Sequence, residues 1–494
     1  MTTKSAIRLL LCLLCLAATA LLSAGCEVGP DFVRPAPPPV GRYTNTKPLE
    51  KTVAAAGRSQ RLEMGQKIGK TWWEAFKSPA LNAVVQEAIL GSPNLQSALA
   101  RLQESREELR AGYGVFFPRV DSDFNATRQK FSPLKFGSPA QSSLFTLYTL
   151  EGTISYTLDL FGGERRQVEN LAAQVEYRKQ TARAAYLSLV GNVVNAAIAR
   201  AAYEAQIKAT QQIIAFEKNQ LKISQSQAEG GTVPYSNVLA LKTQLEATRA
   251  TLPALQKNLS QSEHLLTALL GKTPQQWTPP RIALDDVTLP ANVPVRLPSE
   301  LVRNRPDILA AEAQLRGASA NIGVATAALF PDITLSGTFG QNNTDITSLF
   351  ASSANFWSLA ANAAQPVFHG GTLWFRRRAA IQAYNASISD YRQAVISGFQ
   401  QVADSLRALE FDADGLQAQS ESLAAAAQNL KLVQSNYESG LAGYLDLLSA
   451  DNQYQQAKIG VIQAKALRLQ DTSALLTALG GGTWEPPPPC APEN

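Results

Sequence analysis

The stretch Tyr437-Glu438-Ser439-Gly440-Leu441-Ala442-Gly443-Tyr444-Leu445-Asp446-Leu447-Leu448-Ser449-Ala450-Asp451-Asn452 separates a very long helical pattern from a shorter one. Gly440 and Gly443 interrupt the periodicity, as the tip of a helix–turn–helix requires, because glycine enters left-handed backbone conformations without steric penalty. A near copy stands at Glu229-Gly230-Gly231-Thr232-Val233-Pro234-Tyr235-Ser236-Asn237-Val238-Leu239, where Tyr235 corresponds to Tyr444 and Glu229 to Glu438. Two such tips in one chain predict a duplicated architecture.

Outward from the tips the duplication continues. A proline-free helical pattern covers 164–228 before the first tip (229–235) and 372–437 before the second (438–444). At 1.5 Å per residue each is roughly 100 Å long. Val168, Val175, Ala182 and Leu189 recur at the seven-residue coiled-coil step. Shorter helical patterns at 235–270 and 445–479 close on the same string, Leu265-Leu266-Thr267-Ala268-Leu269 and Leu475-Leu476-Thr477-Ala478-Leu479. Ahead of each long helix the period changes to two, predicting β-hairpins over 119–161 and 331–368. Repeat 1 therefore spans 71–270 and repeat 2 spans 299–480, opening on a helix at 307–329; a proline-rich connector, 271–298, joins them. Ala184 to Ala199 carries no charge, yet it is too short to span a bilayer and reads as a packed helix.

The N-terminus carries a processing signal. Lys4 and Arg8 precede an apolar run, Leu9 to Leu22, and residues 1–25 read as a signal peptide. Leu22-Ser23-Ala24-Gly25-Cys26 has the form of a bacterial lipoprotein signal whose cysteine becomes the lipidated N-terminus; ordinary cleavage after Ala18-Thr19-Ala20 is the alternative. Glu27 in place of aspartate directs the lipoprotein reading to the outer membrane. Residues 26–70 read as an extended proline-rich arm and 481–494 as a proline-rich tail. With Cys12 and Cys15 removed, Cys26 acylated and Cys490 in the tail, no disulfide is expected.

Several functions are excluded by what the chain carries. A net charge of +5, without any basic run interleaved with aromatics, argues against nucleic acid. His264 and His369 fall in different repeats, so neither a metal site nor a cofactor other than the lipid is expected. The absence of a Gly-x-Ser-x-Gly elbow, a phosphate loop and a His/Cys cluster argues against an enzyme, and no catalytic residue is assigned. The strands alternate strictly, with Asp121, Asp123, Glu151, Asp159 and Asp332 on the polar side, which suits a water-filled lumen. Four strands cannot close a transmembrane barrel, so either they pack on a soluble core or several chains pool them in a cyclic oligomer. Arg165-Arg166 and Arg376-Arg377-Arg378, just after the hairpins, read as a solvated basic ring.

Cys26-Glu27-Val28-Gly29-Pro30-Asp31-Phe32 with Arg34-Pro35, Trp72-Trp73 with Phe76, Arg305-Pro306-Asp307-Ile308, Leu329-Phe330-Pro331 and the tip motif occur in an order that resembles the TolC-like outer-membrane factors, lipoprotein efflux branch (OprM/NodT-like). The resemblance covers the whole mature chain. It implies a mainly α fold with a small β part, in which a homotrimer sets a β-barrel of four transmembrane strands per chain on a long periplasmic α-barrel. It implies an outer-membrane exit duct of a tripartite efflux system, lipid-anchored through Cys26, that passively conducts small molecules such as drugs from an inner-membrane RND-type pump and a periplasmic adaptor. In such proteins the inner tip helices narrow the periplasmic end; the matching positions are Leu445, Asp446, Ser449 and Asn452, and Ser449 departs from the aspartate often found there. Gly230, Gly231, Thr232, Gly440 and Leu441 match the tips that would meet the adaptor. A type I protein-secretion channel and a non-channel structural lipoprotein are the competing expectations.

Overall fold

The computed structural model describes residues 27–46, 49–132, 141–482, 484 and 486. Cys26 and Cys490 lie outside the described residues. Eight α-helices are described: α1 (Pro79–Gly91), α2 (Pro93–Gly112), α3 (Gly163–Glu229), α4 (Tyr235–Leu269), α5 (Pro298–Asn304), α6 (Pro306–Ala327), α7 (Thr372–Glu438) and α8 (Tyr444–Ala478). The duplication is visible in their lengths: α3 and α7 each have 67 residues, α4 and α8 each 35. Among the described residues no helix is long and apolar enough to cross a membrane.

The chain forms two compact units. Among the described residues, one comprises 27–34, 103–132, 141–177 and 311–391; the other comprises 35–46, 49–102, 178–310, 392–482, 484 and 486.

The first unit holds the main sheet, of strands β2 (Arg119–Phe131), β3 (Ser143–Leu158), β5 (Asp332–Asn343) and β6 (Asn355–Ala364), in the antiparallel order β2-β3-β5-β6. The two hairpins meet through β3 and β5, leaving β2 and β6 as edges. Below the sheet, residues 27–34 are strapped down. The Val28 N–H donates to the Phe161 carbonyl at 3.1 Å, and the Ser319 hydroxyl to the Pro30 carbonyl at 3.3 Å. Arg166 is the centre of this strap. Its buried guanidinium meets Glu27 at 3.0 Å, Asp31 at 2.7 Å and Glu169 at 2.8 Å. Gly29, at φ +100°, passes so close to Gly323 that a β-carbon on it would sit 2.5 Å from the Gly323 α-carbon. This corrects the solvated-ring reading of Arg165-Arg166: a guanidinium facing three carboxylates is held inside the fold, not in water. Arg165 is likewise engaged, with Asp159 at 3.1 Å. Asp159 also accepts the Glu164 and Arg165 N–H groups, capping α3, so it is a helix cap and not a lumen residue.

The second unit carries the main apolar core. The uncharged part of α3 supplies Val190, Val193, Val194, Ala197 and Ile198, all essentially buried. Against it pack Trp73 and Phe76 from a 3₁₀ turn, Leu81 and Val85 from α1, Leu266 from α4, and Leu475 and Leu479 from α8. The missing charge of Ala184–Ala199 is thus explained by burial against protein. In one respect the arm differs from expectation. Arg61–Met64 forms β1, paired parallel with β4 (Asn292–Val295) of the connector, and Leu62 is buried. Thr52 and Gln60 are also buried, bonded to Arg468 and Thr472 of α8: Arg468 Nη2 to Thr52 Oγ1 at 2.9 Å, Gln60 Nε2 to Thr472 Oγ1 at 3.1 Å. This part of the arm is polar because its partners are hydrogen-bonding groups supplied from far along the chain.

Arg166→Met leaves Glu27 without its cation and Glu169 with only Arg316, at 3.6 Å, and we expect it to cost about 2 kcal/mol because these carboxylates are partly exposed. Heat denaturation of the purified protein should show a lowered midpoint, only partly restored in Arg166→Lys.

Candidate functional site

Two regions carry the features a conduit needs, and each is built from its own residues. The first is the sheet. Register places Val120, Ile154, Gly337 and Leu359 at one level, and Ser122, Gly152, Phe339 and Trp357 at the next. Val120 and Trp357 are each 70% exposed, and Phe124, Ile154, Phe339 and Leu359 are exposed with them. Water would penalise such a surface; hydrocarbon favours it. The opposite face carries most of the sheet's polar side chains, with Phe131, Phe145 and Leu147 toward the far end of the first hairpin. Asp121 pairs with Arg119 at 2.7 Å and stands beside Thr153, which is bonded to Thr338 at 3.3 Å. Asp123 faces Glu151 directly across the β2–β3 ladder. Two adjacent carboxylates are tolerable where water screens them. One face for lipid and one for water is the requirement of a channel wall.

The second region is the pair of tips. Both use one backbone solution: at the first, Gly231 takes φ +74°, Thr232 N–H reaches back to the Gln227 carbonyl at 2.9 Å, and Gly231 N–H to Ala228 at 3.0 Å. At the second, Gly440 takes φ +72°, with Leu441 N–H on Asn436 at 2.8 Å and Gly440 N–H on Tyr437 at 3.1 Å. These paired bonds satisfy the last carbonyls of α3 and α7. Gly230, Gly231, Thr232, Gly440 and Leu441 are all exposed, Leu441 at 81%. The copies diverge in their side chains: Tyr444 is buried where its counterpart Tyr235 is 67% exposed.

On α8, Leu445, Asp446 and Ser449 are exposed together. Asp446 has a local task as well, because its carboxylate accepts the Gly443 N–H at 2.9 Å and caps the helix. Asn452 does not join the exposed group. It is half-buried and accepts from the Gln244 side chain at 2.6 Å. Asp451, which from sequence reads as a second acidic residue able to cap the helix start, does not do so: it is buried, bonded by Gln455 and pushed up to about 7 by burial and by Glu217. Glu217 and the burial of Asp451 escaped the sequence reading, although Tyr444, Leu447, Asp451 and Gln455 fall on one helical stripe, which is the available signal. Along α4 and α8 runs a groove of about 910 Å³ whose lining includes Gln244, Thr248, Asn452, Gln456 and Gln463 and is uncharged.

The outer membrane efflux protein family model matches residues 84–272 and 297–481. The chain belongs to that family. The two matched segments fall on the two repeats, and the family's members are outer-membrane efflux channels. The toluene efflux pump outer membrane protein TtgC of Pseudomonas putida is 29% identical over 475 residues, 96% of each chain. The cation efflux system protein CusC of Escherichia coli is 28% identical over 472 residues, covering 94% of this chain and 97% of CusC. The structure of the outer-membrane channel OprN superposes with a TM-score of 0.83 at 27% identity, over 92% of this chain and 99% of OprN. The fold is TolC-like, and the protein is an outer-membrane exit channel of the efflux type.

The tip geometry separates two adjacent glycines. Gly231→Ala should lower stability by about 1 kcal/mol, because a β-carbon is strained at positive φ. Gly230→Ala, whose φ is not positive and whose β-carbon would meet only the Ser226 and Gln227 carbonyl oxygens at 3.5 and 3.7 Å, should be neutral within about 0.5 kcal/mol in the same denaturation assay.

Proposed function

We propose that this protein is the outer-membrane component of a tripartite efflux system and works as a homotrimer anchored by lipid on Cys26. The observation that carries the assembly is the sheet: an exposed apolar face bounded by two strands, β2 and β6, with no partner on their outer sides among the described residues. In a bilayer an open edge leaves backbone groups unpaired at several kcal/mol each. Pooling the four strands of three chains into one barrel of about twelve removes all edges at once and lies within the size range of outer-membrane barrels. The exposed apolar face also speaks against a structural lipoprotein with its strands packed inward.

In this reading the exposed tips meet a periplasmic adaptor, and an RND-type inner-membrane pump supplies energy and cargo. The duct itself is passive. TtgC is named for toluene and CusC for cations, so chemically unlike cargoes leave through similar walls. An uncharged, amide-rich groove in the tip region fits a duct whose selectivity is set upstream. Leu445, Asp446 and Ser449 line the narrow periplasmic end, with Asp446 as the single acidic position among them.

Full-length protein purified from outer membranes should run as a heat-modifiable trimer and conduct ions in planar bilayers with a preference for cations. Asp446→Asn keeps an acceptor for the Gly443 N–H while removing the charge. It should reduce the cation preference by roughly twofold or more without loss of stability. Cys26→Ser should abolish incorporation of labelled palmitate. A soluble monomer without conductance would overturn the reading.

A further inference from the structure

Two carboxyl groups are buried inside the helical tip, and among the described residues no cation acts on either. Glu217 on α3 is 2% exposed and Asp451 on α8 is 5% exposed. Thr248 of α4 donates to Glu217 Oε1 at 2.9 Å, and Gln455 donates to Asp451 Oδ2. Gln244 and Gln455 also act on the Glu217 carboxyl as hydrogen-bonding neighbours, while the buried Tyr444 hydroxyl has no partner among the described residues. Glu217, Tyr444 and Asp451 border one small void of about 10 Å³, otherwise walled by Phe216, Gln220, Leu241, Leu447 and Leu448. That volume holds one water molecule at most.

Every element around the pair presents neutral groups. From α4 come Gln244 and Thr248, and from α8 Tyr444 and Gln455. From α7 comes Tyr437, whose ring lies 6.4 Å from that of Tyr444 and whose hydroxyl donates to Gln227. Two ionised carboxylates in such a site repel each other and lack a counter-charge, so the packed arrangement favours a state that retains a proton.

We propose that Glu217 and Asp451 form a proton-held latch in the tip, packed while the pair carries a proton and loosened once both carboxyls are ionised. The inference rests on the reading of the tip as the pore end. Because α8 carries Leu445, Asp446 and Ser449 on its exposed side, loosening it at Asp451 moves all three.

The sign follows from linkage. Burial first, and then Glu217, push Asp451 up to about 7 from an ordinary value of 3.8. Burial likewise raises Glu217. The packed tip therefore binds the proton more tightly than the loosened one. Protons favour packing, and the preference is lost as pH rises from the ordinary carboxyl range through about 7.

The test uses the full-chain assembly with a nitroxide on Leu448→Cys, its other thiols blocked, and conductance measured on the same preparation. The wild-type tip should give an immobilised spectrum near pH 6 and a mobile one near pH 8.5, with open probability rising roughly fivefold or more between them. Asp451→Asn and, independently, Glu217→Gln should hold the spectrum immobilised at both pH values. A wild-type pH response preserved in both variants would overturn the latch, as would a wild-type spectrum that does not change with pH. A latch that loosens without any change in conductance leaves the proton linkage standing and removes the pore-end reading instead.

Discussion

A sheet immersed in hydrocarbon can leave no backbone group unpaired, and this constraint shapes the rest of the molecule. A four-stranded sheet with an apolar outer face and two open edges is not viable in a bilayer as a single copy. Closure by pooling, as proposed above, would let one face stay apolar and the other polar, and would explain why acidic side chains such as Asp123 and Glu151 can sit side by side in the ladder. The same pooling would give the exposed apolar residues of α7, among them Trp374, Phe375 and Phe411, a reason to be where they are. Neither set suits a protein that works alone in water.

Duplication provides the parts and divergence assigns them. The two tips share glycine geometry almost bond for bond, yet one tyrosine is buried and its counterpart is not. A turn needs only a few backbone bonds, so it survives copying. Side-chain surroundings depend on neighbours from the whole chain, and these differ between the copies. The buried Tyr444 stands next to the carboxyl pair, so the chemical asymmetry of the tips lies in the second repeat's α8 and in what α3 and α4 turn toward it.

Much of the fold was legible because its signals are local and periodic. Gly162-Gly163, Gly230-Gly231 and Gly370-Gly371 punctuate the chain close to where α3 begins, α3 ends and α7 begins. The alternation of β2, β3, β5 and β6 likewise set the two faces of the main sheet. What was not legible depends on distant partners. Nothing near Arg61–Met64 announces pairing with a connector strand more than two hundred residues on, and a four-residue strand is too short for its period to show. Arg166 read as one more surface cation because its partners, Glu27 and Asp31, belong to a proline-rich arm. Asp159 alternated correctly for a lumen residue but sits one step past the strand, where capping α3 is the stronger demand. On α8, the stripe holding Asp451 could be drawn from sequence, whereas the lack of a counter-charge among the described residues required the neighbours from α3 and α4.

The strap of residues 27–34 sets an order of events in time. Gly29 fits only against Gly323, Pro30 is held by Ser319, and Arg34 is paired with Glu312 at 2.8 Å. The stretch therefore completes its docking only after nearly three hundred further residues have followed it. Phe161 and Arg166 are available to it first, at the junction of the first hairpin with α3, and the α6 partners come much later. A chain halted before Gly323 lacks the close fit at Gly29, so the last part of the fastening waits on the completion of α6.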